Sequence, residues 1–401
     1  MVAGSVVQRT DAQTGVYTVW NLVHVTRDGG RTWTTARMPG GPSAGPQHPL
    51  ATATSMADPA VAFLPDGTVL YGGSAETQAE LDPGAHMRRG YDLFVARSQD
   101  GGQTFPGITI VASGSGEATA LNPAGIGLPV PPLLFEASDR AALTVASDGT
   151  AILAWTDLAE LSPKNPVGES CDVVFSSSRD GASWSPAKVV EAGCFNGASP
   201  AITHAGVWAI AYVSDKGEMR VARSTDQGAT WRATRVGKAF PAYGTPTLRA
   251  GPTGNTLALA YPENHGSKDE IEDPTLLMSQ DGGATWGMPL VLDRAYVAAR
   301  TLPAVDVAPD GTVFATYFHV VGNSTGPDAR RDYRAVAIRD GALVDAITLD
   351  PGVVGPAGAL GDYMGLAAMP GGAFAVWVTH HTDAYDVMGG LLRVTAAPAP
   401  F

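Results

Sequence analysis

Four of the eight histidines, His265, His319, His380 and His381, stand at the ends of apolar, β-rich runs, where a side chain leaves a strand for solvent. Carboxylates occupy comparable places: Asp58 opens one such run, and Glu263 ends the run that leads into His265. Imidazole mixed with carboxylate is the donor set of a divalent cation of the Ca or Zn class, or of a general acid–base pair. On this reading Asp58, Glu263, His319 and His380 are candidate metal ligands. A bound cation would lower the pKa of water and polarise an ester, phosphoester or glycosidic oxygen. Arg140, at the start of another run, could stabilise developing negative charge, and Tyr363 could act as acid or nucleophile. His265 and His381 are left as substrate contacts. His48 and His86 fall in loops at the same ends of the runs, so six of the eight histidines are expected on one face. Scattered surface histidines would not segregate in this way.

The elements that must position these residues are repeats. Six strings share one form, an apolar strand, a tight turn and a second apolar strand: DPAVAFLPDGTVLYGG from Asp58, RAALTVASDGTAILAW from Arg140, SPAITHAGVWAIAYV from Ser199, TPTLRAGPTGNTLALAY from Thr245, LPAVDVAPDGTVFATYF from Leu302 and DYMGLAAMPGGAFAVWV from Asp362. Asp-Gly, Gly-Asn and Gly-Gly between β-rich runs mark hairpins. A second motif, Ser-x-Asp-x-Gly-x-Thr-Trp, interleaves with them. It reads TRDGGRTW at Thr26, SQDGGQTF at Ser98, STDQGATW at Ser224 and SQDGGATW at Ser279, with a shortened SRDGASW at Ser178 and a worn IRDG at Ile338. The Asp of each box is expected to accept backbone N–H bonds within a turn, its Gly to supply φ > 0, and its Trp to pack between strands. The repeating unit is therefore four antiparallel strands. Six of them arranged radially make a β-propeller, with seven blades as the alternative. The chain, residues 1–401, is then one domain, its ring closed by segment 17–37 against the C-terminal blade 361–395.

Composition agrees. Gly 48 and Pro 30 supply turns, the charged fraction is 16%, and the net charge of −13 argues against a nucleic-acid partner. No run of about 20 apolar residues exists, so no membrane span is expected. Cys171 and Cys194 flank the Ser178 box almost symmetrically, which in an antiparallel pair puts them within disulfide reach. A disulfide would point to an oxidising compartment, hence a secreted or periplasmic protein, although the start of this sequence does not read as a signal peptide. The oligomeric state is open.

Boxes and hairpins together resemble the sialidase (neuraminidase) superfamily of Asp-box, or BNR-repeat, propellers over nearly the whole chain. The resemblance implies an arginine triad for a sugar carboxylate, a Tyr nucleophile backed by a Glu, and an Asp acid/base. Tyr363 in DYMGL matches the nucleophile, Arg330, Arg331 and Arg334 lie where the third arginine belongs, and Asp82 sits in the loop of the acid. Asp58 and Glu263 stand where the first two arginines belong, and Thr245 where the supporting Glu does. Such a mouth repels an anionic carboxylate and suits a cation or a neutral substrate. The leading expectation is a hydrolase on a sialidase-like scaffold acting on a small molecule or glycan through a rebuilt His and carboxylate site. An exo-sialidase with a Tyr nucleophile and a non-catalytic glycan- or protein-binding propeller are the alternatives.

Overall fold

A computed structural model describes residues 1–10, 17–78, 89–113, 135–159, 170–193, 195–239, 245–265, 272–294, 301–322, 330–354, 361, 364–380 and 385–394. Asp82, His86, Tyr363, His381 and Cys194 lie outside the described residues, as does nearly all of the segment from Ser113 to Leu134. Chain contacts divide the protein into two compact units, Met1–Pro200 and Ala201–Phe401.

The first unit begins with a three-stranded sheet, β1 (Val2–Thr10), β2 (Tyr17–Val25) and β3 (Thr34–Arg37). Two blades follow. One is β4 (Ala53–Phe63), β5 (Val69–Gln78), β6 (Arg89–Ser98) and β7 (Gly107–Ala112). The other is β8 (Phe135–Val145), β9 (Ala151–Ala159), β10 (Ser170–Ser178) and β11 (Lys188–Glu191). A two-residue parallel pairing of β6 with β8 joins them into one eight-stranded sheet.

The next blade opens with β12 (Phe195–Ile202), which spans the division, and continues in the second unit with β13 (Trp208–Ser214), β14 (Glu218–Ser224) and β15 (Arg232–Lys238). After it come β16 (Thr247–Ala250), β17 (Leu257–Asn264), β18 (Glu272–Ser279) and β19 (Leu290–Val291). Then follow β20 (Ala304–Val307), β21 (Val313–Val321), β22 (Arg330–Arg339) and β23 (Ala342–Val354). The last sheet has three strands, β24 (Gly365–Met369), β25 (Gly372–Thr379) and β26 (Asp386–Arg393). No helix among the described residues is long and apolar enough to cross a membrane.

The blade count is therefore seven, not six. All six expected hairpins form. The segment expected to complete the last of them instead pairs through β2 with β1, over nine residue pairs from Val2↔Val25 to Thr10↔Tyr17, and makes a sheet of its own. The strand β1 carries neither box nor hairpin motif, so the repeat pattern did not reveal it.

The box turns form as their residue types require. In the Ser279 copy, Asp281 Oδ1 accepts Ser279 Oγ at 2.9 Å and Thr285 N at 2.8 Å, and Asp281 Oδ2 accepts Thr285 Oγ1 at 2.6 Å. Asp28, Asp100, Asp180 and Asp226 accept the corresponding bonds. These donors favour the ionised carboxylate, which holds Asp180, Asp226 and Asp281 at a pKa of about 2 and Asp28 and Asp100 lower still. The worn copy has become a tight turn between β22 and β23, with Asp340 and Gly341 at φ 52° and 75°. That pair of left-handed residues matches the twist of a hairpin.

Each second strand of a hairpin buries an aromatic: Tyr71, Trp155, Tyr212, Tyr261, Tyr317 and Trp377, none more than 5% exposed. Side chains alternate faces along a strand. The residue two positions past each aromatic therefore continues on its face toward the strand end, which fixes the placement of Asp157, Ser214, Glu263, His319 and Thr379.

Candidate functional site

In the second unit, Glu263 leaves β17 two residues after Tyr261 and is half-buried. Across the ladder it faces Asp273 of β18. Opposed side chains of an antiparallel pair lie on one face, about 5 Å apart at Cβ. Thr275 Oγ1 donates to Glu263 Oε2 at 3.4 Å. Burial first, and the nearby Glu263 charge second, push the Tyr261 hydroxyl pKa well above its usual value. A Cβ added at Gly237 of β15 would fall on that hydroxyl, so glycine there lets β15 close over the end of β17.

His265 is exposed, and its Nε2 lies 2.9 Å from Asp273 Oδ2, which also takes Arg294 NH1 at 3.1 Å. The Asp273 side chain is only 2% exposed, so its charge is held by these two cation-forming groups at the mouth of a buried position. In the neutral ring, an Nε2–H donated to Asp273 leaves the His265 Nδ1 as the acceptor. Glu263, Asn264 and His265 line a cleft of about 470 Å³ together with Arg235, Val236, Gly237 and Lys238. The cleft thus joins a carboxylate, an imidazole oriented by a second carboxylate, and two cations.

A second cluster repeats the theme one blade on. His319 Nδ1 lies 2.7 Å from Asp293 Oδ2, and Arg334 bridges Asp293 Oδ2 at 3.2 Å and Asp332 Oδ2 at 3.3 Å. Burial and the Asp293 charge push the Tyr317 hydroxyl up to about 12. Arg331, the neighbouring residue on β22, is 1% exposed, and burial lowers its pKa, whereas Arg330 is exposed. His380 stacks on Tyr385 with ring centroids 4.3 Å apart.

In the first unit, Asp58 and Arg140 occupy matching bulges. The β4–β5 register shifts between Ala57 and Ala60, and the β8–β9 register between Asp139 and Ala142. Both residues take left-handed backbone, φ 54° and 55°, a conformation costly for any side chain beyond glycine. Bulges of this kind re-aim a side chain. Ser74 Oγ donates to Asp58 Oδ2 at 2.9 Å.

The four expected metal ligands thus stand on four different blades: Asp58 on β4, Glu263 on β17, His319 on β21 and His380 just past β25. No group of three or more His, Cys, Asp or Glu that could hold a metal ion is gathered among the described residues. The expected Cys171–Cys194 pairing lies outside the described residues, because Cys194 does; Asp172 Oδ1, beside Cys171, accepts Gly193 N at 2.9 Å. Sequence reasoning found Glu263, His265 and His319 but missed Asp273, Asp293 and Arg294. These arrive from the start of β18 and from the chain leaving β19, where no repeat marks them. The aromatic two residues before Glu263 and His319 is the signal that would have sharpened the search.

No family model matches the chain, and no curated protein matches it. Among solved structures, the chain is similar to a Hadza microbial sialidase, Hz136, with a TM-score of 0.51 and 15% identity over 86% of this chain and 66% of that one. The chain thus spans just under two thirds of that sialidase's length. It is also similar to a protein of unknown function from Dyadobacter fermentans DSM 18053, with a TM-score of 0.49 and 20% identity over 80% of this chain and 83% of that one. A leech intramolecular trans-sialidase gives a TM-score of 0.49 and 12% identity over 85% and 68%. At these identities the likeness is one of fold: the chain has a β-propeller fold, as the microbial sialidase does.

Proposed function

We propose that this protein is a hydrolase of glycosidic or related ester bonds whose acid–base chemistry lies in the cleft at the end of β17. The observation that carries this reading is the meeting of half-buried Glu263 and Asp273-held His265 in one cleft. Glu263, against a buried tyrosine, is suited to deliver or receive a proton. His265, oriented through Nε2 by a buried carboxylate, is suited to draw a proton from water at Nδ1, in the base-and-orienter pattern of hydrolytic sites. Arg294 shares the Asp273 charge and holds that carboxylate in place. Lys238 and Arg235 supply donors for substrate oxygens.

A panel of chromogenic glycosides and esters tests the reading. Wild-type protein turns over at least one, and Glu263→Gln slows it by about 10²- to 10⁴-fold with an unchanged melting temperature. Full turnover in Glu263→Gln overturns it. In the metal-assisted form of the reading, a Ca- or Zn-class ion is held by members of the set Asp58, Glu263, His319 and His380. Metal analysis of the purified protein, with turnover in chelator, decides that form; metal-free protein with full turnover removes it.

The likeness in fold to a sialidase favours one second reading, with Tyr363 as nucleophile, Asp82 as acid and Arg330 or Arg331 gripping the sugar. A fluorogenic sialoside discriminates: cleavage that disappears in Tyr363→Phe but survives in Glu263→Gln selects this reading over the first.

A further inference from the structure

We propose that the outer strands β14 and β15 form a docking surface for an acidic polysaccharide, a chain bearing sulfate or carboxylate groups at intervals. The stretch from Glu218 to Lys238 holds five cations, Arg220, Arg223, Arg232, Arg235 and Lys238, against two carboxylates, Glu218 and Asp226. It is therefore +3 within a chain of −13. Asp226 is already committed to its box turn, where Ser224 and Thr230 donate to it.

The register concentrates the cations further. Arg220 stands directly opposite Arg235, and Arg223 directly opposite Arg232. Like charges opposed across a strand pair destabilise the sheet. Glu218 answers three of the five: it takes Arg220 at 3.0 Å and Arg235 at 3.7 Å, and it lies across from Lys238 in the ladder. An arrangement that costs the fold and lies on an exposed strand is accounted for by an anionic partner. Arg232, Arg235 and Lys238 are all exposed. They are spread along the edge strand β15 for about 20 Å at the usual rise of a strand, with Arg232 on one face and, past the bulge that follows Arg235, Arg235 and Lys238 together on the other; these last two line the cleft with Glu263. A linear anion laid along β15 would be led into that cleft.

The charge pattern fits a polysaccharide better than a nucleic acid. Single-stranded nucleic acids are held by aromatic side chains on which bases stack, and β14 and β15 contain none. The net charge of −13 opposes long-range attraction of a dense polyanion, so the local row must act at contact distance.

The probe is a heparin-type sulfated oligosaccharide, with the full chain at about 0.1 M salt, where charges act over only about 10 Å and the local cations outweigh the net charge. The wild type binds and is released by added salt. The triple variant Arg232→Gln, Arg235→Gln, Lys238→Gln binds at least about tenfold more weakly, a loss of about 1.4 kcal/mol. Its melting temperature is unchanged or raised, because opposed like charges are relieved; a merely structural row would lower it. Arg232→Gln alone, at an exposed position, gives a smaller loss in the same direction and guards against misfolding of the triple variant. Arg179→Gln, an exposed arginine outside the row, leaves binding unchanged. Binding survives in Glu263→Gln, so the surface and the proposed chemistry fail separately. The proposal is overturned if the wild type does not bind, if the triple variant binds equally well, if Arg179→Gln weakens binding as much, or if oligothymidylate displaces the saccharide at equal charge.

Discussion

Two regions of the second unit use aspartate in opposite ways. In the box turns, exposed Asp226 and half-buried Asp281 take their hydrogen bonds from residues within four positions of themselves. Beside the ends of the second strands, Asp273 from the start of β18 and Asp293 from the chain leaving β19 are held by His265 and Arg294, and by His319 and Arg334, respectively. The box carboxylates satisfy local backbone and recur wherever the turn recurs. The strand-end carboxylates answer titratable and cationic side chains brought from other elements, and their surroundings differ from blade to blade. Repetition therefore marks structure, and departure from repetition marks where chemistry can be placed.

The sharpest way to break this comparison is to exchange the two kinds of aspartate for asparagine. Asp273→Asn removes the charge that orients His265 and anchors Arg294. On the proposed mechanism it lowers kcat by about 10²-fold or more while KM changes little, the pattern of a lost transition-state contribution. Asp281→Asn leaves kcat unchanged and lowers the melting temperature instead, because the amide cannot accept the same set of bonds. Steady-state kinetics and thermal melts on both variants check this. Equal kinetic losses in the two would erase the distinction.

The second contrast lies between two glycines. At Gly237 the backbone is not left-handed, and the need for glycine is space, since an added Cβ meets the Tyr261 hydroxyl. At Gly311, φ is 83° and nothing lies within 4 Å, so the need is conformational. Gly237→Ala should cost about 1–3 kcal/mol, the range of an overpacked core, and should disturb turnover because β15 forms one wall of the cleft. Gly311→Ala should cost about 1 kcal/mol, through backbone strain alone, with turnover intact. Denaturant titration of both, with activity measured alongside, separates packing at the site from turn geometry away from it.

Much of this was legible in the residues, and what was not has a physical reason. Hairpins announce themselves through Asp-Gly and Gly-Gly between apolar runs because only such residues make the turn. The boxes announce themselves because one hydrogen-bond pattern needs Ser, Asp, Gly and Thr at fixed offsets. The strand β1, VAGSVVQRT, lacks both signals, so the seventh sheet stayed hidden. Glu263 and His319 could be located because strand ends follow from strand periodicity. Asp273 and Arg294 could not, because their partnership with His265 spans residues 266–271 and the chain beyond β19, where length and composition impose no register. The bulges at Asp58 and Arg140 were equally invisible: one extra residue in a strand leaves no mark on a pattern of apolar residues.

The smallest effect is the response to acid, and it separates the box carboxylates by sign from Asp306, the aspartate of β20. The box carboxylates have folded-state pKa values depressed below the ordinary value of 3.8, to about 2 for Asp180, Asp226 and Asp281. A depressed carboxylate contributes stability that is complete above its unfolded pKa and is lost as pH falls through its folded pKa. The boxes should therefore hold the melting temperature steady from pH 7 to about pH 5 and release it between about pH 4 and pH 2. Asp306 runs the other way. Burial raises its pKa, opposed by Arg249 and by the Ala368 N–H it accepts at 2.7 Å. Its charge is a liability near neutrality that lessens as acid neutralises it. Asp306→Asn removes the charge but keeps one oxygen for the two N–H groups, Ala368 and Val307, that the carboxylate accepts at 2.7 and 2.9 Å, so its stability relative to wild type should be highest near pH 7 and fall as the pH approaches 4. Melting curves of wild type, Asp281→Asn and Asp306→Asn across this range test both signs at once. An Asp281→Asn deficit that persisted undiminished at pH 2 would show that the box carboxylates act through shape rather than charge.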